Sequence, residues 1–128
     1  MNALRRLAES STLLHRNVCT YSCTAPVVVA DHAMAGHVYR IAQEAIANAT
    51  KHGKAKHLRL ILAATTPDTA RLTISDDGTG CPLPIREHRG MGLQIMRYRA
   101  GMIGATLRLA SNPKGGLRVT CDFFTQNP

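Results

Sequence analysis

Three short stretches of this 128-residue sequence carry residue types able to handle phosphate, a hard cation and a flat polar ligand. In the first, Glu44, Asn48 and Lys51 recur at intervals of four and three residues inside an apolar-periodic segment, so on a helix they share one stripe beside the apolar face. A carboxylate, an amide oxygen and an ammonium on one stripe suit Mg²⁺ at Asn48 and phosphate at Lys51, because Mg²⁺ takes oxygen ligands from few side chains and from phosphates. In the second, Ser75-Asp76-Asp77-Gly78-Thr79-Gly80 follows an alternating apolar stretch. An acidic residue at a strand end can accept a hydrogen bond from an exocyclic amine, while glycines let the backbone approach a flat ring. In the third, Gly90-Met91-Gly92-Leu93 opens a helical stretch, where free N–H groups and the positive dipole end attract anions. Each alone has an ordinary counterpart: a solvated helix face, an Asp-Gly turn, a glycine at a helix start. Their order and spacing together carry the signal.

The elements that must position these residues follow from periodicity. Leu4, Leu7, Ala8 and Leu14 predict a short amphipathic helix over residues 1–14, and the alternation from Asn17 to Cys23 predicts a strand. The Val27-Val28-Val29 run is compatible with a short strand, after which Asp31 is a candidate N-cap. Val38, Ile41, Ala42, Ala45, Ile46 and Ala49 lie on one face of a helix expected from Val38 to His52, with Gly53 as its stop. Leu58, Leu60 and Leu62, a Pro67-Asp68 turn, then Leu72 and Ile74 predict a hairpin. Residues 76–89 lack periodicity and form a loop longer than common connections. Leu93, Met96, Ala100 and Ile103 predict a helix; Leu107 and Leu109, a turn over 112–116, and Leu117 to Phe123 predict a second hairpin. The sum is a two-layer α/β sandwich: a mixed, mainly antiparallel sheet of four or five strands covered on one face by helices.

Composition narrows the class. The length suits one domain with one core. No stretch approaches the roughly 18 apolar residues of a membrane span, and Arg5, Arg6 and Glu9 interrupt the N-terminus where a signal peptide needs an apolar run. A cytoplasmic domain without membrane contact is expected. Cys19, Cys23, Cys81 and Cys121 form no CxxC pair, so a disulfide framework or thiolate metal site has little support. The net charge of +8 favours anionic partners, yet 4% aromatic content and no Trp leave no stacking platform for single strands, and direct nucleic-acid binding is not expected.

Glu44-Ala45-Ile46-Ala47-Asn48-Ala49-Thr50-Lys51-His52, Asp76-Asp77-Gly78-Thr79-Gly80 and Gly90-Met91-Gly92-Leu93 resemble the N box and the first two glycine boxes of the ATP-binding catalytic domain of bacterial sensor histidine kinases. The wider fold family, called the Bergerat ATP-binding fold, includes DNA gyrase, the Hsp90 chaperones and the MutL proteins. Tyr39 to Ala45 and Met96 to Ala100 resemble the nitrate-sensor type of kinase, and the likeness runs from about Val38 to Phe124. The resemblance implies ATP and Mg²⁺ as cofactors, with Asn48 on the metal and Glu44 on its water shell or as a catalytic carboxylate. Lys51 and His52 would lie near the phosphates, and Asp76 would bind the adenine amino group. Gly78 and Gly80 would shape the pocket, residues 81–89 would be a lid, and Gly90, Met91, Gly92 and Leu93 would lie along the phosphates. The last glycine box departs from the usual Gly-Gly-Thr, reading Gly115-Gly116-Leu117, which removes a hydroxyl near the adenine.

Phosphoryl transfer is mostly positioning and charge neutralisation, so a donor half can lack the acceptor. No histidine here, His15 included, has the helical His-Asp or His-Glu setting of an acceptor. The resemblance therefore implies a histidine on a separate phosphoacceptor domain and, through it, a response regulator. The isolated chain is expected to be monomeric, and the full-length kinase can be membrane-anchored. Two other readings use the same motifs: a non-enzymatic nucleotide-binding or interaction module, and a serine kinase acting on an anti-sigma partner. Intact Glu44 and Asn48 favour an enzyme. A clamp of the gyrase or MutL kind would normally need a transducer domain.

Overall fold

Helical and extended periodicities resolve into alternating elements along the chain. The computed structural model describes residues 2–51, 54–79, 90–113 and 115–126. In chain order these contain α1 (Asn2–His15), β1 (Val18–Cys23), α2 (His32–Lys51), β2 (His57–Thr66), β3 (Thr69–Asp76), α3 (Gly90–Met102), β4 (Thr106–Ser111) and β5 (Leu117–Phe124). The strands form one sheet in the order β1-β2-β3-β5-β4. Hairpins join β2 to β3 and β4 to β5, whereas β1 runs parallel to β2 and reaches it through α2, since a parallel pair needs a long crossover. Strand β5 pairs with both β3 and β4, so β4 lies at the edge. This is the expected two-layer α/β arrangement with a mixed, mainly antiparallel sheet. Among the described residues, no helix is long and apolar enough to cross a membrane.

Alternation along each strand places one side chain in two against the helices. Leu58, Leu60 and Leu62 of β2, Leu72 and Ile74 of β3, and Val119, Cys121 and Phe123 of β5 are buried on that side. Facing them are Leu4 and Ala8 of α1, Val38, Ile41, Ala42 and Ala45 of α2, and Leu93, Met96 and Ala100 of α3. Helix α2 packs along α3 and contacts β2 and β3, which makes it the central element of the helical layer.

Four expectations change. Helix α2 begins at His32 rather than Val38, because Asp31 caps it: its Oδ1 accepts from the N–H groups of Ala33 at 2.7 Å and Met34 at 3.2 Å. Val27 to Val29 form no strand; Val27 is buried, Val28 is exposed, and the Ala30 N–H donates to the Thr125 carbonyl at 3.0 Å. The second glycine motif is the first turn of α3 itself, which starts at Gly90 rather than Leu93. Asn48, expected beside the core face, is buried on it, with 6% of its surface exposed.

Candidate functional site

Four chain segments meet at one end of the sheet. Helix α2 ends at Lys51, and β2 begins a few residues later at His57, next to the finish of β3: Leu58 pairs with Asp76, and the Asp77 N–H donates to the His57 carbonyl at 3.2 Å. The C-terminal half of α2 and the end of β3 therefore share that end. The start of α3 joins them, because Gly92 lies against the Asn48 side chain. The turn between β4 and β5 completes the group, with Gly116 against the Asp76 backbone.

Asp76 is buried, and its carboxylate is held by backbone. Oδ1 accepts from the N–H of Gly78 at 2.8 Å and of Leu117 at 3.3 Å. Among the described residues, Oδ2 receives no hydrogen bond, so one oxygen is anchored and the other is available to a ligand. Gly116 has φ +94, and a β-carbon there would overlap the Asp76 carbonyl. Only glycine combines that backbone angle with that approach. The Asn112 side-chain amide ties the arrangement together by donating to Ser75 Oγ and the Asp76 carbonyl, both at 2.9 Å, and to the Leu117 carbonyl at 3.4 Å.

Asp77 has a different task from its neighbour. Oδ1 accepts from the N–H groups of Lys56 at 2.9 Å and His57 at 2.8 Å, and Oδ2 lies 2.7 Å from His57 Nδ1. The backbone hydrogen bond from His57, together with the His57 side chain and the Lys56 N–H, holds this carboxyl below the usual range. Asp77 thus clamps the strand end to the entry of β2.

On α2, Asn48 faces Gly92 so closely that a β-carbon at position 92 would stand 2.6 Å from Oδ1 and 2.8 Å from Nδ2. Glu44, one turn earlier, is half-buried and makes no hydrogen bond or ion pair among the described residues. Lys51 is exposed at the last described residue of α2. Gly90 and Met91 contribute helical backbone to the first turn of α3, while the Leu93 side chain is buried in the core, so its part in any anion contact is its backbone. His52, Gly53, Gly80 and the expected lid over residues 81–89 lie outside the described residues.

Two positioning residues were given no role by the sequence reading, Asp77 and Asn112, and the glycine box at Gly115-Gly116 was quoted there without its close contact to Asp76. The Gly115-Gly116 pair signalled a turn, but nothing local tells which strand that turn will touch. Leu117, which departs from the usual threonine, is buried at 4% exposure and keeps a backbone contact to Asp76, so the fold takes its side chain into the core.

Comparison with known proteins bears on the family and the fold. The profile of the histidine kinase-, DNA gyrase B- and HSP90-like ATPases matches residues 34–127. The chain is 32% identical over 123 residues to the nitrate/nitrite sensor protein NarQ of Escherichia coli (strain K12), covering 95% of this chain and 22% of NarQ. It is 39% identical over 88 residues to the sensor histidine kinase LnrJ of Bacillus subtilis (strain 168), covering 69% of this chain and 21% of LnrJ. The chain thus spans about a fifth of the length of these curated relatives. Among solved structures, the ATP-binding domain of PrrB from Mycobacterium tuberculosis is similar with a TM-score of 0.75 at 25% identity, over 93% of this chain and 88% of that one. The catalytic domain of histidine kinase ThkA shares the fold, with a TM-score of 0.78 at 11% identity over 99% and 94% of the two chains. With the family profile matched over most of its length and the fold to accompany it, the chain belongs to the histidine kinase-, DNA gyrase B- and HSP90-like ATPase family.

Proposed function

We propose that this domain binds Mg-ATP and donates the γ-phosphate to a histidine on a separate phosphoacceptor domain of a two-component sensor kinase, which in turn supplies a response regulator, all in the cytoplasm. The observation that carries this reading is the meeting of Asn48 and Gly92 at the same end of the sheet as the backbone-anchored carboxylate of Asp76. Asp76 Oδ2 is the acceptor for the adenine amino group, and Gly78 and Gly116 keep the backbone flat enough for the base to approach. The cradle also fits a metal-bound phosphate chain. Asn48 offers a hard amide oxygen, Glu44 offers a carboxylate one turn away that makes no hydrogen bond or ion pair among the described residues, and the first turn of α3 offers N–H groups that its own helix does not use. When bound, magnesium neutralises charge on the phosphates. Lys51 adds a cation at the rim. Asn48 and Glu44 are therefore assigned to the metal and its water shell, and Asp76 to the base.

Calorimetry of Mg-ATP with the wild type and Asp76→Asn tests nucleotide binding, and labelled ATP with a supplied acceptor hairpin tests transfer. Wild type should bind Mg-ATP and label the hairpin but not itself, and Asp76→Asn should bind much more weakly. Unchanged affinity in Asp76→Asn removes the adenine assignment. Stoichiometric phosphate on His15 or another histidine of the isolated chain removes the division into donor and separate acceptor.

A further inference from the structure

The helices cover one face of the sheet, and the other carries arginines. Arg59 of β2, Arg71 of β3, Arg108 of β4 and Arg118 of β5 are all exposed on the side away from the core, alternating with buried Leu58, Leu60, Leu72 and Val119. Register gathers them. Arg59 pairs with Ser75, Ser75 with Arg118, and Arg118 with Ala110, which puts Arg59 and Arg118 on one line about 10 Å apart across β3. One step down the strands Arg108 pairs with Thr120, and at the next step Arg71 pairs with Asp122. Asp122 is the one acidic residue that the five strands place on this face. A groove of about 520 Å³ opens among Arg71, Thr73, Arg108, Ala110, Arg118 and Thr120.

Asp122 illustrates what this face recognises. Arg71 grips its carboxylate with Nε at 2.6 Å and Nη2 at 3.3 Å, and Arg108 Nη2 reaches it from the opposite side at 2.6 Å. The Arg71 hydrogen bond, with that from Arg108, holds the Asp122 carboxyl below the usual range. Arg59 and Arg118 make no such pair among the described residues, and a guanidinium fork matches a carboxylate.

We infer that this open sheet face docks an acidic polypeptide segment of a partner protein, whose Asp and Glu side chains engage Arg59 and Arg118 as Asp122 engages Arg71 and Arg108. A second copy of the chain docked face to face would set arginines against arginines across a two-fold axis. The groove lining has no aromatic ring on which a base could stack and no large apolar side chain to enter a bilayer. Among the described residues, the surface is on the opposite side of the sheet from α2 and α3, which carry Glu44, Asn48 and Gly92, and the inference stands apart from the proposed nucleotide site.

Fluorescence anisotropy of a labelled oligoglutamate peptide, titrated with the chain near physiological ionic strength, provides the test. The double variant Arg59→Glu/Arg118→Glu reverses charge on the sheet, and Arg40→Glu/Arg97→Glu reverses the same charge on exposed positions of α2 and α3. Arg59→Ala/Arg118→Ala serves if the first variant melts early by circular dichroism. Saturable binding should weaken about tenfold or more in the sheet variants and far less in the helix variant, because paired carboxylates are lost rather than net charge alone. Mg-ATP should not compete. Equal weakening in the sheet and helix variants overturns the proposal, as does stronger binding of phosphatidylglycerol vesicles or oligothymidylate than of oligoglutamate through Arg59 and Arg118.

Discussion

Gly92 at the start of α3 and Asn48 on α2 stand so close that no side chain fits between them: a β-carbon on residue 92 would lie 2.6 Å from Asn48 Oδ1. Gly36, on the same helix as Asn48, has nothing within 4 Å of such a carbon among the described residues. One substitution should therefore have opposite effects at the two positions. Gly36→Ala should stabilise the domain by about 0.5–1 kcal/mol through helix propensity. Gly92→Ala should cost about 1–3 kcal/mol by overpacking and weaken Mg-ATP by displacing the amide. Urea melts and calorimetry measure both, and unchanged Mg-ATP affinity in a folded Gly92→Ala protein would separate Asn48 from the nucleotide site.

Burial of Asn48 makes it a structural residue as well as a candidate metal ligand. Asn48→Ala should lower stability by about 1–3 kcal/mol, since it strips a polar group from a packed helix interface. It should also remove the magnesium-dependent part of ATP binding. Comparing ATP affinity with magnesium and with EDTA isolates that part. A variant as stable as wild type, or one that keeps the full magnesium effect, contradicts one role or the other.

The two glycines of the β4–β5 turn should differ in sensitivity. Both have positive φ, +105 at Gly115 and +94 at Gly116, so alanine is strained by about 1–3 kcal/mol at either. At Gly115 a β-carbon would meet, among the described residues, the Gly78 carbonyl at an ordinary 3.5 Å, whereas at Gly116 it would drive into Asp76. Gly116→Ala should thus destabilise more, and it alone should weaken adenine nucleotide strongly. Equal losses of affinity in the two variants would count against the role of Gly116 in placing Asp76.

Cysteine reactivity should sort by burial. Burial pushes the Cys19 thiol up to about 11, with a hydrogen bond to Ser11 opposing, and the Cys121 thiol up to about 12, with Asp122 adding to the effect. Both should resist iodoacetamide in the folded protein at neutral pH, while half-buried Cys23, whose Sγ donates to the Ala25 carbonyl at 2.9 Å, should label before either of them. Each raised value means that the folded state holds its proton longer than the unfolded chain. That stabilisation is complete below the ordinary thiol value of about 9 and is lost as pH rises through the folded values. Residue-resolved mass spectrometry after a short alkylation pulse, and urea melts at neutral and alkaline pH, check both statements.

Elements were legible where short-range periodicity carries the information. The alternation of Leu58, Leu60 and Leu62 and the helical spacing of Val38 to Ala49 reflect which face of each element must leave water, and that need depends on neighbours two to four residues away. The stretches Glu44 to Lys51, Asp76 to Gly78 and Gly90 to Leu93 stood out by residue type and spacing, and their roles toward ATP and magnesium are proposals. Misjudged positions depended on contacts made later in the chain or in space. The Asp31 cap was legible because its contacts are two and three residues away, although the six residues it adds to α2 were not counted in that helix, whereas the segment after Val27 is tied by the Ala30 N–H to Thr125, far along the chain. Asn48 looked like the border of a helix face until α3, which begins more than forty residues later, laid Gly92 over it. Likewise Asp76 and Gly116 are distant in sequence, and only the pairing of β3 with β5 brings the turn onto the strand end. Residue types and local spacing determined which side chains were able to do chemistry. Tertiary structure decided which of them meet, because close packing between elements is set by sheet order and helix crossing, and neither is encoded in any one segment.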